Sequence, residues 1–436
     1  MKKNVFLVSL ATILLYCSCN TEDSFKPHSN EDIPVEKPVD TLKIENPKEE
    51  NIFNNEFALQ KYIELPKEQE EISQRLNTFA WKLFINTYKQ KGGSNLVLSP
   101  FSLTQDLLML CNGLKGITLE DTKQALGLFY YNMEAINQYV LLINQGLNDA
   151  DPKTKYRTDN SIWYRNDMTI NDEFAQNIEQ YYKADLFIAA MDSQTVDSIN
   201  DWAYEKTFGR IKRMLTKLPE HTNSVLMNTV YFRGLWQWQM EKEDIRDGIF
   251  INENGEEEPA KMMDFFRPSY YADNTCYQAT SREYSNGAFI MDFILPKEGV
   301  ASHEALAQYI EDNNSNIRYL KVNLVLPCFD AESELTLNQV LSSMGMTSIF
   351  SPASPLDVQL FDTPTIVSQV LQKANITVNE KGTEAAVATA IISVDGDCNG
   401  EKAETIDMVL NRPFFYAIRE TSTNTPLFIG YQGSVK

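Results

Sequence analysis

The sequence predicts a mixed α+β body with largely antiparallel sheets, carried behind a leader and an acidic tether. Three observations lead there. Early segments place apolar residues at helical spacing, whereas later ones are apolar runs cut off by proline or turn residues. Helices and strands do not alternate as a βαβ unit would require. Composition changes abruptly near residue 67, from polar and proline-broken to amphipathic. The whole chain of 436 residues is 43% hydrophobic and 23% charged, enough apolar material for one large core or two or three smaller ones. No internal repeat is visible.

Residues 1–19 read as a processing segment. Lys2 and Lys3 form a positive start, and Val5 to Tyr16 is mostly apolar but too short for the ~20 residues of a spanning helix. It ends in Leu14-Leu15-Tyr16-Cys17-Ser18-Cys19, which resembles a bacterial lipoprotein signal; a plain secretory signal with stray cysteines is the other reading. Cys19, behind the small Ser18, is the candidate for lipidation, and Cys17, with Leu14 three residues before it, is the alternative. The following Asn20-Thr21-Glu22-Asp23 resembles a surface-export signal of Bacteroidetes lipoproteins, which implies outer-membrane anchoring at the cell surface. Residues 20–66 read as a disordered tether, with Pro27, Pro34, Pro38 and Pro47 breaking any helix. Fully extended it would reach on the order of 150 Å.

The body, 67–436, opens with Gln74 to Lys89, where Leu76, Phe79, Ala80, Leu83 and Phe84 share a helical face. Asn95 to Leu98 is a short strand. Ser99 then offers an N-cap and Pro100 a first helical position, for a helix running through Leu110 to Gly113. Thr118 to Leu126 is a further helix. Thr158 to Tyr164 is strand-like, and Asp172 to Tyr182 and Asp197 to Thr207 are helical. Ser224 to Phe232, Phe289 to Leu295 and Leu320 to Leu326 are strands, the last two stopped by Pro296 and Pro327. Thr336 to Met344 reads as a helix closed by Gly345. Phe414 to Arg419 and Pro426 to Tyr431 form a hairpin.

Composition excludes several functions. Charges of 39 basic and 60 acidic residues give −21, which repels phosphate backbones, so nucleic acid is not an expected partner. The histidines, His28, His221 and His303, are scattered, which argues against a His-dependent hydrolase and a multi-His metal site. Beyond Cys17 and Cys19, the cysteines at 111, 276, 328 and 398 have no zinc spacing. No cofactor and no metal is expected.

The unusual stretch is Asn379 to Glu404. After Gly382 it is small or β-branched almost throughout, then becomes polar and turn-forming from Asp395 to Lys402. An Ala-rich helix and an ordinary core strand are both compatible with it. So is an exposed loop, hinged at Gly382, that adds itself to a sheet: small side chains from Ala385 to Ala390 could slide between existing strands, where bulky or charged ones would be costly.

At these residues the chain resembles the serpins, over about 370 of its 436 residues, from roughly Glu68 to Val435. The blocks occur in family order. They include Asn95 to Ser102 (NLVLSPFS), Asn112 to Gly116, Ile199 to Trp202 with Lys206 to Lys212, Leu226 to Trp236, Leu326 to Phe329, Leu337 to Leu341 with Gly345 to Phe350, Val378 to Ala386, and Arg412 to Phe414 with Leu427 to Gly430. One block would be weak; eight in order are specific. The resemblance implies one domain with about nine helices and three sheets, mainly antiparallel, bearing a reactive loop. It implies a suicide substrate rather than an enzyme. A target endopeptidase, serine or cysteine type, cuts the loop, forms an acyl-enzyme and is trapped as the loop inserts into the central sheet. The alternative is a non-inhibitory binding protein of the same fold.

The resemblance also assigns residues. The hinge comprises Glu380, Gly382, Thr383, Ala385, Ala386, Val387 and Ala388, free of proline and charge after Gly382 within that set, and this fits an inhibitor. Counting 17 residues from Glu380 places the reactive bond between Gly396 and Asp397, within a window from Val394 to Cys398 because the loop is longer than usual before Pro413. Val394 in the leading position would suit an elastase-like target. Ser99, Ser102 and Asn228 match the polar cluster where the central sheet opens, with Gln372 standing where the family usually has histidine, and Trp236 matches the point where the loop enters. An exposed Cys398 would be a reactive thiol. The expected partner is the target endopeptidase in a covalent complex, the membrane is engaged through the lipid anchor alone, and the protein is expected to be a monomer.

Overall fold

The computed structural model describes residues 7–17 and 59–436, apart from 239, 241, 313–316, 355–356, 364 and 384–404. The expectations for Cys19, for residues 20–58 of the tether and for Ala385 to Cys398, including Gly396 and Asp397, therefore fall outside the described residues.

Helix α1 (Lys67–Lys91) carries Glu68 and Glu70 in its first turn and Lys89 and Lys91 in its last, both favourable to the helix dipole. Its buried face holds Leu76, Phe79, Ala80, Leu83 and Phe84, the five the spacing picked out. The chain before it differs from expectation. Residues 59–66, read as the end of the tether, lie along the body: the Lys61 amide donates to the Ala150 carbonyl and the Ile63 amide to Ser422 Oγ. The ordered body thus starts at least eight residues earlier than the composition shift suggests, because backbone hydrogen bonding there is supplied by partners remote in sequence.

Helix α2 (Pro100–Cys111) is buried along its whole length. Ser99 Oγ accepts from the Ser102 amide at 3.2 Å, a cap of about 1 kcal/mol. Then come α3 (Gly116–Ala125), α4 (Met133–Asp149), α5 (Asp172–Tyr182), α6 (Ser193–Lys206), α7 (Ser302–Asp312), α8 (Asn338–Ser343) and α9 (Thr347–Phe350), nine helices among the described residues. Asn132, Asn171 and Asp192 cap α4, α5 and α6 through their side chains. Thr336, assigned from sequence to a helix, ends a strand instead, and α8 begins at Asn338.

The central sheet runs β11 (Phe329–Thr336), β12 (Thr365–Val378), β1 (Leu7–Cys17), β5 (Thr222–Leu235), β3 (Lys155–Arg165) and β4 (Asp185–Ala189). Among the described residues only its β3–β4 pair is parallel. A second network contains β14 (Thr405–Val409), β10 (Arg318–Pro327), β7 (Glu257–Asp273), β8 (Tyr277–Tyr284), β9 (Phe289–Pro296), β15 (Phe414–Glu420), β16 (Pro426–Gln432) and β2 (Leu96–Leu98), with β6 (Ile245–Ile251) on β7. Two of the three expected sheets are joined in this network because the long β7 pairs with β10 over Met262–Tyr271 and with β8 over Tyr271–Asp273.

One face of β5, with Leu226, Val230 and Phe232, packs into the main core. The other, with Val225, Met227 and Tyr231, packs against Ile199 and Trp202 of α6. The central sheet is therefore covered on both sides.

Leu7–Cys17 is a further departure from the sequence reading, which put 1–19 outside the fold. Its apolar, partly β-branched composition is that of a doubly covered strand. It lies antiparallel to β5 and β12 together and fills the space between them.

Candidate reactive loop and its insertion site

β12 leads directly into the segment expected to be the hinge. Asn379 and Gly382 exchange backbone hydrogen bonds, each amide donating to the other's carbonyl at 3.1 Å, which closes a tight turn over Glu380 and Lys381. The chain then forms β13 (Gly382–Thr383), antiparallel to Leu235 and Gly234 of β5. Only glycine fits at 382. Its φ is +129°, and a Cβ there would stand 2.3 Å from the Gly234 carbonyl oxygen and 2.8 Å from Leu235 Cα.

The next residue is anchored by chemistry. Thr383 is fully buried, and its hydroxyl is 2.8 Å from the Tyr284 hydroxyl. Tyr284 stacks on Trp236 with centroids 4.5 Å apart and planes 10° apart. The Trp236 indole N–H donates to the Asn379 carbonyl at 2.8 Å, and its amide donates to the Lys381 carbonyl. Trp236 is thus a buried aromatic and also the post to which the hinge is tied. Burial pushes the Tyr284 phenol far above its ordinary pKa, with the Thr383 hydroxyl opposing it, so it stays a neutral hydrogen-bonding group. Beside the hinge, burial and the charge of Glu380 push the Cys328 thiol up to about 12, which makes it unreactive.

Below the hinge lies the cluster expected at the sheet opening. Gln372 and Ser99 form a closed pair: the Ser99 amide donates to Gln372 Oε1 at 2.9 Å, and Gln372 Nε2 donates to the Ser99 carbonyl at 2.8 Å. Glutamine does here what needs both a donor and an acceptor. Ser102 joins through its amide on Ser99 Oγ. Asn228 does not join, contrary to expectation. Its amide nitrogen donates to Thr158 Oγ1 and Asn160 Oδ1 of β3. The reason is β1: Ala11 is paired with Gln372 on one side and with Asn228 on the other. Asn228 Oδ1 and Ser102 Oγ are left buried without a hydrogen-bond partner.

The two strand tracks on β5 are collinear. Gly382 opposes Leu235 and Thr383 opposes Gly234, while Leu7 opposes Phe232 and the pairing continues to Tyr16 opposite Thr222. A chain continuing from Thr383 in register would bring Ala385 opposite Phe232, the position held by Leu7. β1 thus occupies the track that the hinge points into.

Tyr284 and Gly234 were missed from sequence as hinge partners. Tyr284 reads as one aromatic of an ordinary strand, with nothing to tie it to a residue 99 positions away. Gly234 had a signal, a glycine ending an apolar strand, which marks close backbone approach. Among the described residues no group of three or more His, Cys, Asp or Glu could hold a metal, and no helix is long and apolar enough to cross a membrane.

Comparison with known proteins agrees with this architecture. The family profile described as Serpin (serine protease inhibitor) matches residues 74–432. Alpha-1-antiproteinase of Rattus norvegicus is 26% identical over 376 residues, covering 83% of this chain and 88% of that protein. The thermophilic serpin tengpin in its native state superposes with a TM-score of 0.74 at 30% identity, over 86% of this chain and 96% of its own. Human thyroxine-binding globulin in complex with thyroxine shares the fold, at a TM-score of 0.74 and 20% identity over 85% of this chain and all of its own. With the profile spanning more than four-fifths of the sequence, the chain belongs to the serpin family.

Proposed function

We propose that this serpin inhibits an endopeptidase as a suicide substrate, through insertion of its cut loop between β5 and β12. The observation that carries the reading is the docked hinge: Gly382 and Thr383 are already paired with β5, at the head of a track one strand wide. Extending that register places Ala385, Val387, Thr389, Ile391 and Ser393 on the core-facing side, opposite Phe232, Val230, Asn228, Leu226 and Ser224. Ala386, Ala388 and Ala390 would face α6, opposite Tyr231, Thr229 and Met227. The first three residues that would pass beneath the α6 layer are alanines, the smallest that still favour a folded strand over glycine, and the larger Ile392 would follow only at the far end, opposite Val225.

The track ends near Thr222 and Ser224, so ten residues, Ala385 to Val394, fill it. A cut within the window Val394 to Cys398 would free enough chain to occupy the whole track. At about 3.3 Å per residue the acylated end would travel roughly 33 Å, carrying the enzyme to the opposite pole. Insertion gains two ladders of hydrogen bonds, at about 1 kcal/mol each net, against about 1–2 kcal/mol of backbone ordering per residue. The apolar side chains covered on both faces tip the balance.

The same reading gives the leader a role. Cleavage before Cys19 removes Leu7–Cys17 entire and vacates the track for the loop, while lipidation of Cys19 anchors the body to a membrane, at the cell surface if the acidic residues behind it act as an export signal. The test is incubation of a chain beginning at residue 20, and of the full-length chain, with chymotrypsin, pancreatic elastase and papain, followed by denaturing electrophoresis. A covalent complex with the shorter chain and none with the longer is the expected result. Complete cleavage of the shorter chain without complex would refute inhibition.

A further inference from the structure

We propose that the acidic segment 18–58 of the full-length chain docks along the basic connection between α6 and β5, and this is independent of the inhibitory reading above. From Lys206 to Lys217 the chain carries Lys206, Arg210, Lys212, Arg213 and Lys217 and no carboxylate, on a molecule of net charge −21. Glu205 and Glu220 bound the stretch. It is a fixed platform. Ile211, Met214 and Leu215 are buried against the α6 side of the central sheet. Asn200 of α6 accepts from the amides of Met214 and Leu215 at 2.7 and 2.9 Å and donates to the Leu215 carbonyl. Lys373 Nζ on β12 donates to the Arg213 carbonyl at 3.2 Å. Arg210, Lys212, Arg213 and Lys217 stand exposed between these anchors. Lys206 is paired with Asp159 and Asp185, but among the described residues Lys212, Arg213 and Lys217 make no ion pair. Cations crowded in this way repel one another and attract an acidic chain held nearby.

The ends of β1 and of the strap at 59–66 select the occupant. β1 ends with Cys17 at the foot of β5, where Tyr16 is opposite Thr222, five residues after Lys217. The strap starts at Leu59, whose carbonyl accepts from Asn286 Nδ2, and the same group donates to the Ala150 carbonyl. Five residues beyond Ala150, Lys155 opens β3 opposite Arg233 near the head of β5, and its Nζ lies 4.5 Å from the centre of the Phe208 ring. Segment 18–58 is therefore tied at one end of the basic stripe and beside the other. Thr222 to Arg233 spans roughly 36 Å at strand rise. A coil of the segment's length averages about 35 Å end to end. A linker whose natural length matches its span reaches the highest effective concentration, about millimolar, so even exposed ion pairs of low individual strength suffice to seat it. The segment supplies the charge: ten acidic residues against four lysines, a net −6, with Glu45, Glu49, Glu50 and Glu56 in its last third. Docking would hold the connection down on β12 and take up the reach of the tether until salt releases it.

The experiment is zero-length carbodiimide cross-linking of the dilute full-length chain, which joins carboxylates to lysines in contact, mapped by mass spectrometry. An equal mixture of isotope-labelled and unlabelled chain separates links within one molecule from links between two. Salt is set at about 20 mM and about 500 mM, where charges are screened over roughly 20 Å and 4 Å. At low salt, links within one chain from the segment to Lys212 and Lys217 should exceed those to Lys89, an exposed lysine on α1, by about tenfold, and at high salt they should fall to the Lys89 level. The variant Glu45→Lys, Glu49→Lys, Glu50→Lys leaves the body untouched and should lose the excess. Adding Lys212→Glu and Lys217→Glu to it should restore links in the opposite sense, from body carboxylates to segment lysines. Yields no higher than to Lys89, an excess indifferent to salt, or an excess that survives the segment variant would each overturn the proposal. So would failure of the combined variant to restore links. Links formed chiefly between labelled and unlabelled copies would overturn it too, since the stripe would then be a contact between molecules.

Discussion

Replacing Thr383 by arginine tests the hinge most directly. Thr383 is fully buried, hydrogen-bonded to Tyr284 and paired across Gly234. Arginine loses that hydrogen bond, about 1 kcal/mol, and brings a cation to a site whose paired groups are a phenol and a glycine backbone. An uncompensated buried charge costs about 3–5 kcal/mol. In the uncut protein the hinge can escape by leaving β5, so little of this reaches the native state. In the inserted state residue 383 must lie in the sheet, so the cost falls on insertion. If about 3 kcal/mol of it is felt at the barrier, insertion slows roughly a hundredfold, and the acyl-enzyme hydrolyses before the enzyme is carried away. The assay is titration of a fixed amount of enzyme, with complex and cleaved chain separated on denaturing gels. The T383R chain should be consumed as substrate, while T383S, which keeps the hydroxyl, should trap nearly one-to-one. Undiminished trapping by T383R would refute insertion through this hinge.

Gly382→Ala should act in the same direction, because its Cβ meets backbone atoms that cannot move aside; a red shift of Trp236 fluorescence should accompany the loss of trapping as the hinge undocks. Asp106 is fully buried with neither carboxyl oxygen hydrogen-bonded, and desolvation holds its pKa well above the ordinary value. The folded state therefore keeps this proton while the unfolded chain loses it above about pH 4, so the group's contribution to stability is fully present below that pH and falls by about 1.4 kcal/mol per pH unit until the folded group ionises; Asp106→Asn should remove this component of the slope in urea unfolding followed from pH 4 to 7. Arg419→Ala should lower stability by about 3 kcal/mol, since Asp292, 4% exposed and held by Arg419 Nε at 2.6 Å, would be left as an unpaired buried charge; adding Asp292→Asn should recover much of the urea midpoint.

Elements whose signals are local were legible. α5 matches its predicted range, and Ser99 and Pro100 start α2 as their chemistry dictates. Gly382 was singled out as the hinge because no other residue combines freedom of φ with a missing side chain. What escaped depends on partners far along the chain. Residues 59–66 are polar, and only their bonds to Ala150 and Ser422 place them on the body. Asn228 and Gln372 were expected in one cluster, but which residues face each other across the central sheet depends on how many strands stand between them. That number changes with the presence of β1, and no pattern within Asn228 or Gln372 encodes it.

The unpartnered Asn228 Oδ1 and Ser102 Oγ give the sheet a property beyond geometry. With a strand seated between β5 and β12, one polar atom on β5 and one on α2 go unsatisfied, at about 1–3 kcal/mol each. With the strand absent, those atoms could be satisfied, but a covered ladder is lost. Neither arrangement satisfies both backbone and side chains, so the centre of the molecule is frustrated where most cores are consistent. On the inhibitory reading proposed above, such a sheet would have two competing minima rather than one deep one, and the polar residues between them would act as a latch that keeps exchange conditional on an outside event such as proteolysis.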